Sequence, residues 1–283
     1  ITVKKMIVST STSCLDDLGI PENVKMLPMN IHMGGANYLD GQDLSLDRLS
    51  RVLLDNPNID ISTSAPTENQ LIEFFYQLIK EDVQEVLIIC LSSSLSQTYN
   101  NLLNISSMFS HRMKIYIYDS RTISHGEAVL VQEASRLLKQ GMEIPQIITE
   151  INRLRDKIHI YLAVDNLKGM IRTKRISAPV GFFANLFGIK PIVKMEDSGQ
   201  MVAFEKVRSF EKCIERLADA AINAANGKKG KMYVISGNLN PHTKALLNYL
   251  SSRGYDKTEV LPAASVSIAN IGVFTLGCVF VED

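Results

Sequence analysis

Residues Val86–Leu91, VLIICL, are apolar at every position, with nothing polar to mark a wet face. Such a strand needs cover on both sides, which is the condition of a strand inside a parallel sheet flanked by helices. Directly behind it stand Ser92, Ser93, Ser94, Ser96 and Thr98, while Leu95, Tyr99, Leu102 and Leu103 fall at helical spacing. The chain therefore turns from strand to helix through a hydroxyl-rich bend. The same grammar recurs at Met6–Val8 before STSTSCLDDLG, and at Ile115–Tyr118 before DSRTISHGEAVLVQEASRLLKQG. Repeated βα units predict a parallel sheet with helices on its faces.

Between the first two units, LPMNIHMGGANYLDGQDLS alternates and turns at glycines, which predicts an edge hairpin or excursion. From about Ile158 the pattern changes. IHIYLAV, KMYVIS and VFTLGCVFV read as strands, and KPIVKMEDSGQMVAFEKVRS as two strands joined at EDSG. Phe210, Cys213, Ile214, Leu217, Ala218 and Ala221 form one helical stripe ending before Gly227, and HTKALLNYLSSRG reads as a second helix. A chain of 283 residues exceeds one ordinary core. The expected fold is α/β, with two α/β domains and a ligand cleft between them. The N-terminal domain, residues 1–156, is a parallel-sheet βαβ unit; the C-terminal domain, residues 157–283, is an α+β sandwich.

Thirty basic side chains balance thirty acidic ones, so there is no basic excess to drive nucleic-acid binding. No apolar stretch reaches membrane-spanning length, and MIVST is too short for a signal-peptide core. Cys14, Cys90, Cys213 and Cys278 are widely spaced with no CxxC, which predicts free thiols and a reducing, cytoplasmic setting. A monomer is the default expectation.

The serine bend admits two readings. At the end of a parallel strand, the unpaired N–H groups of a helix N-terminus and nearby hydroxyls make an anion cradle. Alternatively, one serine caps the helix and the rest are surface turn residues. Ser9–Ser13, STSTS, and Ser62–Thr67, STSAPT, add two more hydroxyl-rich bends, expected at strand ends of the same sheet and facing one crevice. GxxxxGK[ST] and a GxGxxG after a strand are both missing, so a carboxylate or a single phosphoryl group suits the crevice better than a nucleotide. No GxSxG surrounds a serine, no HxxxH or HExxH occurs, and Asp40 and Asp43 read as turn carboxylates. No catalytic residue, metal ligand or cofactor is assigned.

The hydroxyl bends, in this order, resemble the DegV family of bacterial fatty-acid-binding proteins over nearly the whole chain. The matching elements are STSTSC at the first turn; Tyr38, Asp40 and Gly41; and Thr63, Ser64, Ala65 and Pro66. They continue with Ser93, Ser94, Leu95, Ser96, Gln97, Thr98 and Tyr99, then Asp119–Ser120, Arg175–Ser177, Ile189–Ile192, and Lys206 with Arg208. The resemblance implies a non-enzymatic, cytoplasmic lipid-binding protein of phospholipid metabolism, holding a long-chain fatty acid such as hexadecanoate between two α/β domains. Carried over by position, Thr63 and Ser96 hold the carboxylate, with Ser64, Ser93 and Ser94 as helpers, and a separate fatty acid kinase is the implied partner. Thr10 stands where the family has Asp, Gln97 where it has Gly, and Thr173–Lys174 where it has Gly-Gly. Asn270, in NIGVF, stands where it has the His of a His-Thr-Gly-Pro-Gly pattern. These departures leave the pocket intact and bear on ligand affinity and kinase partnership. Asn270 and Arg175 join the expected head-group set.

Hydroxyls suit such a ligand. Burying about 14 methylenes gains on the order of 11 kcal/mol before ordering costs, at about 0.8 kcal/mol each. A buried carboxylate left unpaired costs several kcal/mol, and each hydrogen bond to it returns about 1.5–3 kcal/mol. Donors therefore fix direction while the tail supplies affinity. The tail needs an apolar wall, for which VGFFANLFGI offers Phe182, Phe183, Leu186 and Phe187; the same run also reads as a buried core helix. Two other functions fit the crevice: a phosphoryl- or acyl-transfer enzyme, and a regulatory module whose lipid stabilises the fold.

Overall fold

The computed structural model describes residues 2–283. Its N-terminal domain is built on a four-stranded, all-parallel sheet in the order Val24–Leu27, Lys5–Thr10, Glu85–Cys90, Lys114–Asp119. Val86–Cys90 are all fully buried because helices cover both faces. Helices Glu68–Lys80 and Thr98–Ser106 pack Leu71, Phe75, Leu78, Leu102 and Ile105 on one side. Helices Ser124–Lys139 and Ile144–Arg155 pack Leu130, Val131, Ala134, Ile147 and Ile151 on the other. The sequence places their starts. Thr67 and Gln70 form a reciprocal capping box, and Pro145 occupies the first turn of the fourth helix.

The excursion folds as a sheet of its own. Asn30–Met33 and Ala36–Leu39 form a hairpin around Gly34 and Gly35, whose φ values of 58° and 82° are left-handed, as a tight hairpin turn requires. Ile61–Ser64 pairs antiparallel on the hairpin's other side. The STSAPT segment was expected to be a loop at an end of the parallel sheet. Its first half is instead a strand of this second, three-stranded sheet. Convergence of the hydroxyl bends comes from packing one sheet against another.

The C-terminal domain is a seven-stranded mixed sheet in the order Glu259–Pro262, Gly230–Ser236, Leu276–Glu282, Ile158–Ala163, Lys190–Met195, Met201–Val207, Ile176–Ser177. Helix Phe210–Ala225 lies on one face; Ser209 caps its start and left-handed Asn226 ends it. The opposite face, with Ile160, Leu162 and Val193, joins Ile31, Leu91, Leu95 and Ile123 of the first domain in one apolar core. The run VGFFANLFGI is not a helix. Gly181, Asn185 and Gly188 take left-handed φ and break it into turns, leaving Val180 and Phe187 fully exposed.

Candidate functional site

A narrow cleft, with about 60 Å³ of water-accessible space and partly open to solvent, opens into the shared core. The bends after Lys5–Thr10 and Glu85–Cys90 contribute Thr12, Leu91, Leu95 and Ser96. The second sheet contributes Thr63, and the C-terminal domain Met170, Arg175, Met201, Val266, Asn270 and Ile271. Most of the wall is aliphatic or thioether. The polar atoms gather where Thr63, Asn270 and Arg175 meet.

Local geometry explains why these three meet. Side chains alternate along a strand, so Thr63 faces the cleft while Ser64 turns away, its Oγ 2.8 Å from His32 Nε2. Asn270 and Val266 share a face of the Ser265–Ile271 helix at i, i+4. Asn270 Nδ2 donates to Val266 O at 3.1 Å and to Thr63 Oγ1 at 3.0 Å. Asp40, buried in the turn after the hairpin, accepts the Val266 N–H through Oδ1 at 3.3 Å and so ties this helix to the N-terminal domain. Burial foremost pushes the Asp40 carboxyl up to about 7. Arg175 Nη1 donates to Thr63 Oγ1 at 3.4 Å and to Asn270 Oδ1 at 3.3 Å, both long bonds. Among the described residues no carboxylate pairs with Arg175, whose guanidinium pKa burial lowers.

Of the residues expected from sequence, Thr63, Ser96, Asn270 and Arg175 line the cleft. Ser96 Oγ lies 2.8 Å from Thr98 Oγ1 and accepts the Thr98 N–H at the start of its helix. Two other hydroxyls of the bend have structural partners. Ser92 donates to Gly199 O at 2.6 Å, linking the two domains, and Ser93 donates to Asp119 Oδ2 at 2.5 Å. Ser94 is exposed and lines a separate surface groove. Phe182, Phe183, Leu186 and Phe187 lie outside the cleft lining; Phe183 and Leu186 pack at the edge of the core, and Phe187 is 98% exposed. The wall formed by Leu91, Leu95, Ile123, Met170, Met201 and Ile271 was not singled out in the sequence.

One further group was missed. Glu127, in the first turn of helix Ser124–Lys139, has no exposed surface. Thr10 Oγ1 donates to one of its carboxyl oxygens and Thr12 Oγ1 to the other, while the Leu91 N–H donates to Thr10 Oγ1 at 3.0 Å. Burial pushes the Glu127 carboxyl up to about 8, against the lowering effect of the threonine hydroxyls. No cluster of three or more His, Cys, Asp or Glu suited to a metal occurs among the described residues.

Comparison with known proteins agrees with this architecture. A DegV domain-containing protein of Clostridium acetobutylicum is 30% identical over 85% of each chain, and one of Staphylococcus aureus is 30% identical over 76% of this chain and 75% of its own. The fatty-acid-binding DegV family protein of Streptococcus agalactiae has the same fold, with a TM-score of 0.85 and 23% identity over all of both chains. A DegV family protein of Thermus thermophilus described for its fatty-acid binding gives 0.83 and 21% over 99% of this chain and 100% of its own. The family model described as "Uncharacterised protein, DegV family" matches residues 4–283, and the chain belongs to the DegV family.

Proposed function

We propose that this protein binds a long-chain fatty acid, its carboxylate against Arg175, Thr63, Asn270 and Ser96 and its tail along the aliphatic wall of the cleft. The observation that carries this reading is Arg175: a half-buried cation without an acidic partner, at the polar end of an otherwise apolar cleft. A buried charge calls for an opposite one, and an anionic head with an oily tail matches both parts of the lining. Fatty-acid binding by the relatives from S. agalactiae and T. thermophilus supports the same ligand class. Ser96 bonds to Thr98 rather than to a histidine or carboxylate, which favours a binding role over a nucleophilic one.

On this reading the protein performs no chemistry itself and presents its ligand to a separate kinase that forms the acyl-phosphate. It works in the cytoplasm, where its four unpaired cysteines stay reduced, and its two domains divide at residues 156 and 157. Mass spectrometry of lipid extracted from the purified protein, with hexadecanoate titration by calorimetry, tests the ligand. Recovery of a stoichiometric fatty acid is expected; no recovered lipid and no hexadecanoate binding would refute the proposal. Adding a fatty acid kinase with ATP tests presentation: acyl-phosphate should appear only when both proteins are present.

A further inference from the structure

Glu127 lies directly behind the cleft, and a count of protons shows what it does there. Each threonine hydroxyl has one proton to donate, and an ionised carboxylate only accepts. With Glu127 ionised, Thr10 and Thr12 both commit their protons to it. Thr12, which lines the cleft, then offers an incoming carboxylate nothing but lone pairs. With Glu127 protonated, its own O–H donates to Thr12 Oγ1, and the Thr12 proton is freed to turn either to Thr10 Oγ1, 3.1 Å away, or to an acceptor in the cleft. Thr10 keeps its bond to the other Glu127 oxygen and still accepts the Leu91 N–H.

We propose that Glu127 is protonated whenever an anionic head group occupies the cleft that Thr12 lines together with Thr63, Ser96, Asn270 and Arg175, so that wherever Glu127 is ionised in the free protein the site accepts a carboxylate and a proton together. This rests on the fatty-acid reading above. It makes Glu127 a specificity-determining residue that touches no ligand itself. Two buried anions one hydroxyl apart repel strongly in a medium of low polarity, and the proton removes one of them.

The other groups around Glu127 do not supply that proton. At the end of the neighbouring strand Cys90 is a thiol whose pKa burial and then Glu127 push up. Asp119 is occupied by Ser93 and by the Arg121 N–H. His125, on the same helix, is held down to about 4 by burial and is neutral across the relevant range. Cys14, after the first bend, is also raised by burial. From helix Ile144–Arg155, Arg155 reaches the Asp119 carbonyl and the Tyr118 ring, and from Ile158–Ala163, His159 is engaged by Glu282. Arg175 faces the cleft from the opposite domain. No ion pair involves Glu127 among the described residues.

The test is calorimetric titration of hexadecanoate, below its aggregation concentration, into the full chain from pH 7 to 9.5, in buffers of different ionisation enthalpy. The wild type should take up close to one proton near pH 9, and its affinity should fall by up to about tenfold per pH unit above pH 8. Glu127→Gln, which keeps a donor where the acid had its proton, should lose both the slope and the uptake. Thr12→Val is the second variant; it leaves Glu127 in place and removes the hydroxyl link, so uptake should shrink to the part that charge repulsion alone drives. A pH-independent wild-type affinity without proton uptake would overturn the inference while leaving fatty-acid binding intact. Uptake persisting in both variants would overturn it equally. Failure of hexadecanoate to bind at pH 7 would overturn the fatty-acid reading and this inference with it.

Discussion

Arg175→Met separates binding from stability. The substitution keeps most of the apolar stem and removes only the guanidinium. In the free protein that group makes two hydrogen bonds, at 3.4 and 3.3 Å, beyond the usual N–H···O range. Thr63 and Asn270 stay bonded to each other at 3.0 Å without it. Losing these weak bonds therefore costs little, while removing a half-buried, unpaired charge relieves a desolvation penalty. The melting temperature should stay constant or rise; a gain of 1 kcal/mol corresponds to about 2–4 °C in a protein of this size class. Ligand binding should move the other way. A hydrogen bond to a charged group is worth about 1.5–3 kcal/mol, so hexadecanoate should bind roughly 10- to 150-fold more weakly. Calorimetry gives the affinity and a ligand-free thermal melt gives the stability. An affinity within twofold of wild type would show that Arg175 does not anchor the head group. A melting temperature lowered by more than about 4 °C would show that it is a structural residue instead.

Glu127 gives a pH-dependent stability. Its folded pKa of about 8 exceeds the ordinary 4.5, so between those values the native state binds more protons than the unfolded one and stability falls as pH rises. At about 1.36 kcal/mol per unit over three units, Glu127→Gln should gain on the order of 4 kcal/mol at most over wild type at pH 8 relative to pH 5, measured by urea denaturation. Equal pH dependence of the two proteins would refute the burial argument. Thr63→Val alone leaves one Asn270 amide proton unpaired and should cost about 1–3 kcal/mol, whereas Thr63→Val with Asn270→Leu should cost less than the sum of the two single changes. Additive losses in a double-mutant cycle would deny the pairing. Cys14, Cys90, Cys213 and Cys278 are all buried, so a thiol reagent at pH 8 should leave the native chain unmodified and label all four in urea.

The parallel strands were legible because burial on two faces leaves no polar residue to confuse the pattern, as in Val86–Leu91. Val24–Leu27 was not recognised: it is four residues long and carries Lys25, which reaches out to Glu81 at 2.8 Å. The place of Thr63 in a second sheet depends on pairing with residues 30–33, which no local periodicity encodes. Thr63 and Arg175 were selected by family resemblance rather than by pattern, and both line the cleft. The apolar run at residues 180–187 misled because hydrophobicity was counted without its left-handed breaks. Glu127 was overlooked because a helical glutamate reads as solvated. The available signal was its position, three and four residues before Leu130 and Val131 on the apolar stripe.

The Thr63–Asn270 bond joins residues 207 positions apart in the chain. Contacts of such long range close late, because the loop entropy between them must be overcome first. A nascent or truncated polypeptide that stops before Asn270 can complete its parallel sheet and still lack one wall of the cleft. If the cleft takes up a lipid as proposed, uptake reports that synthesis has passed Asn270.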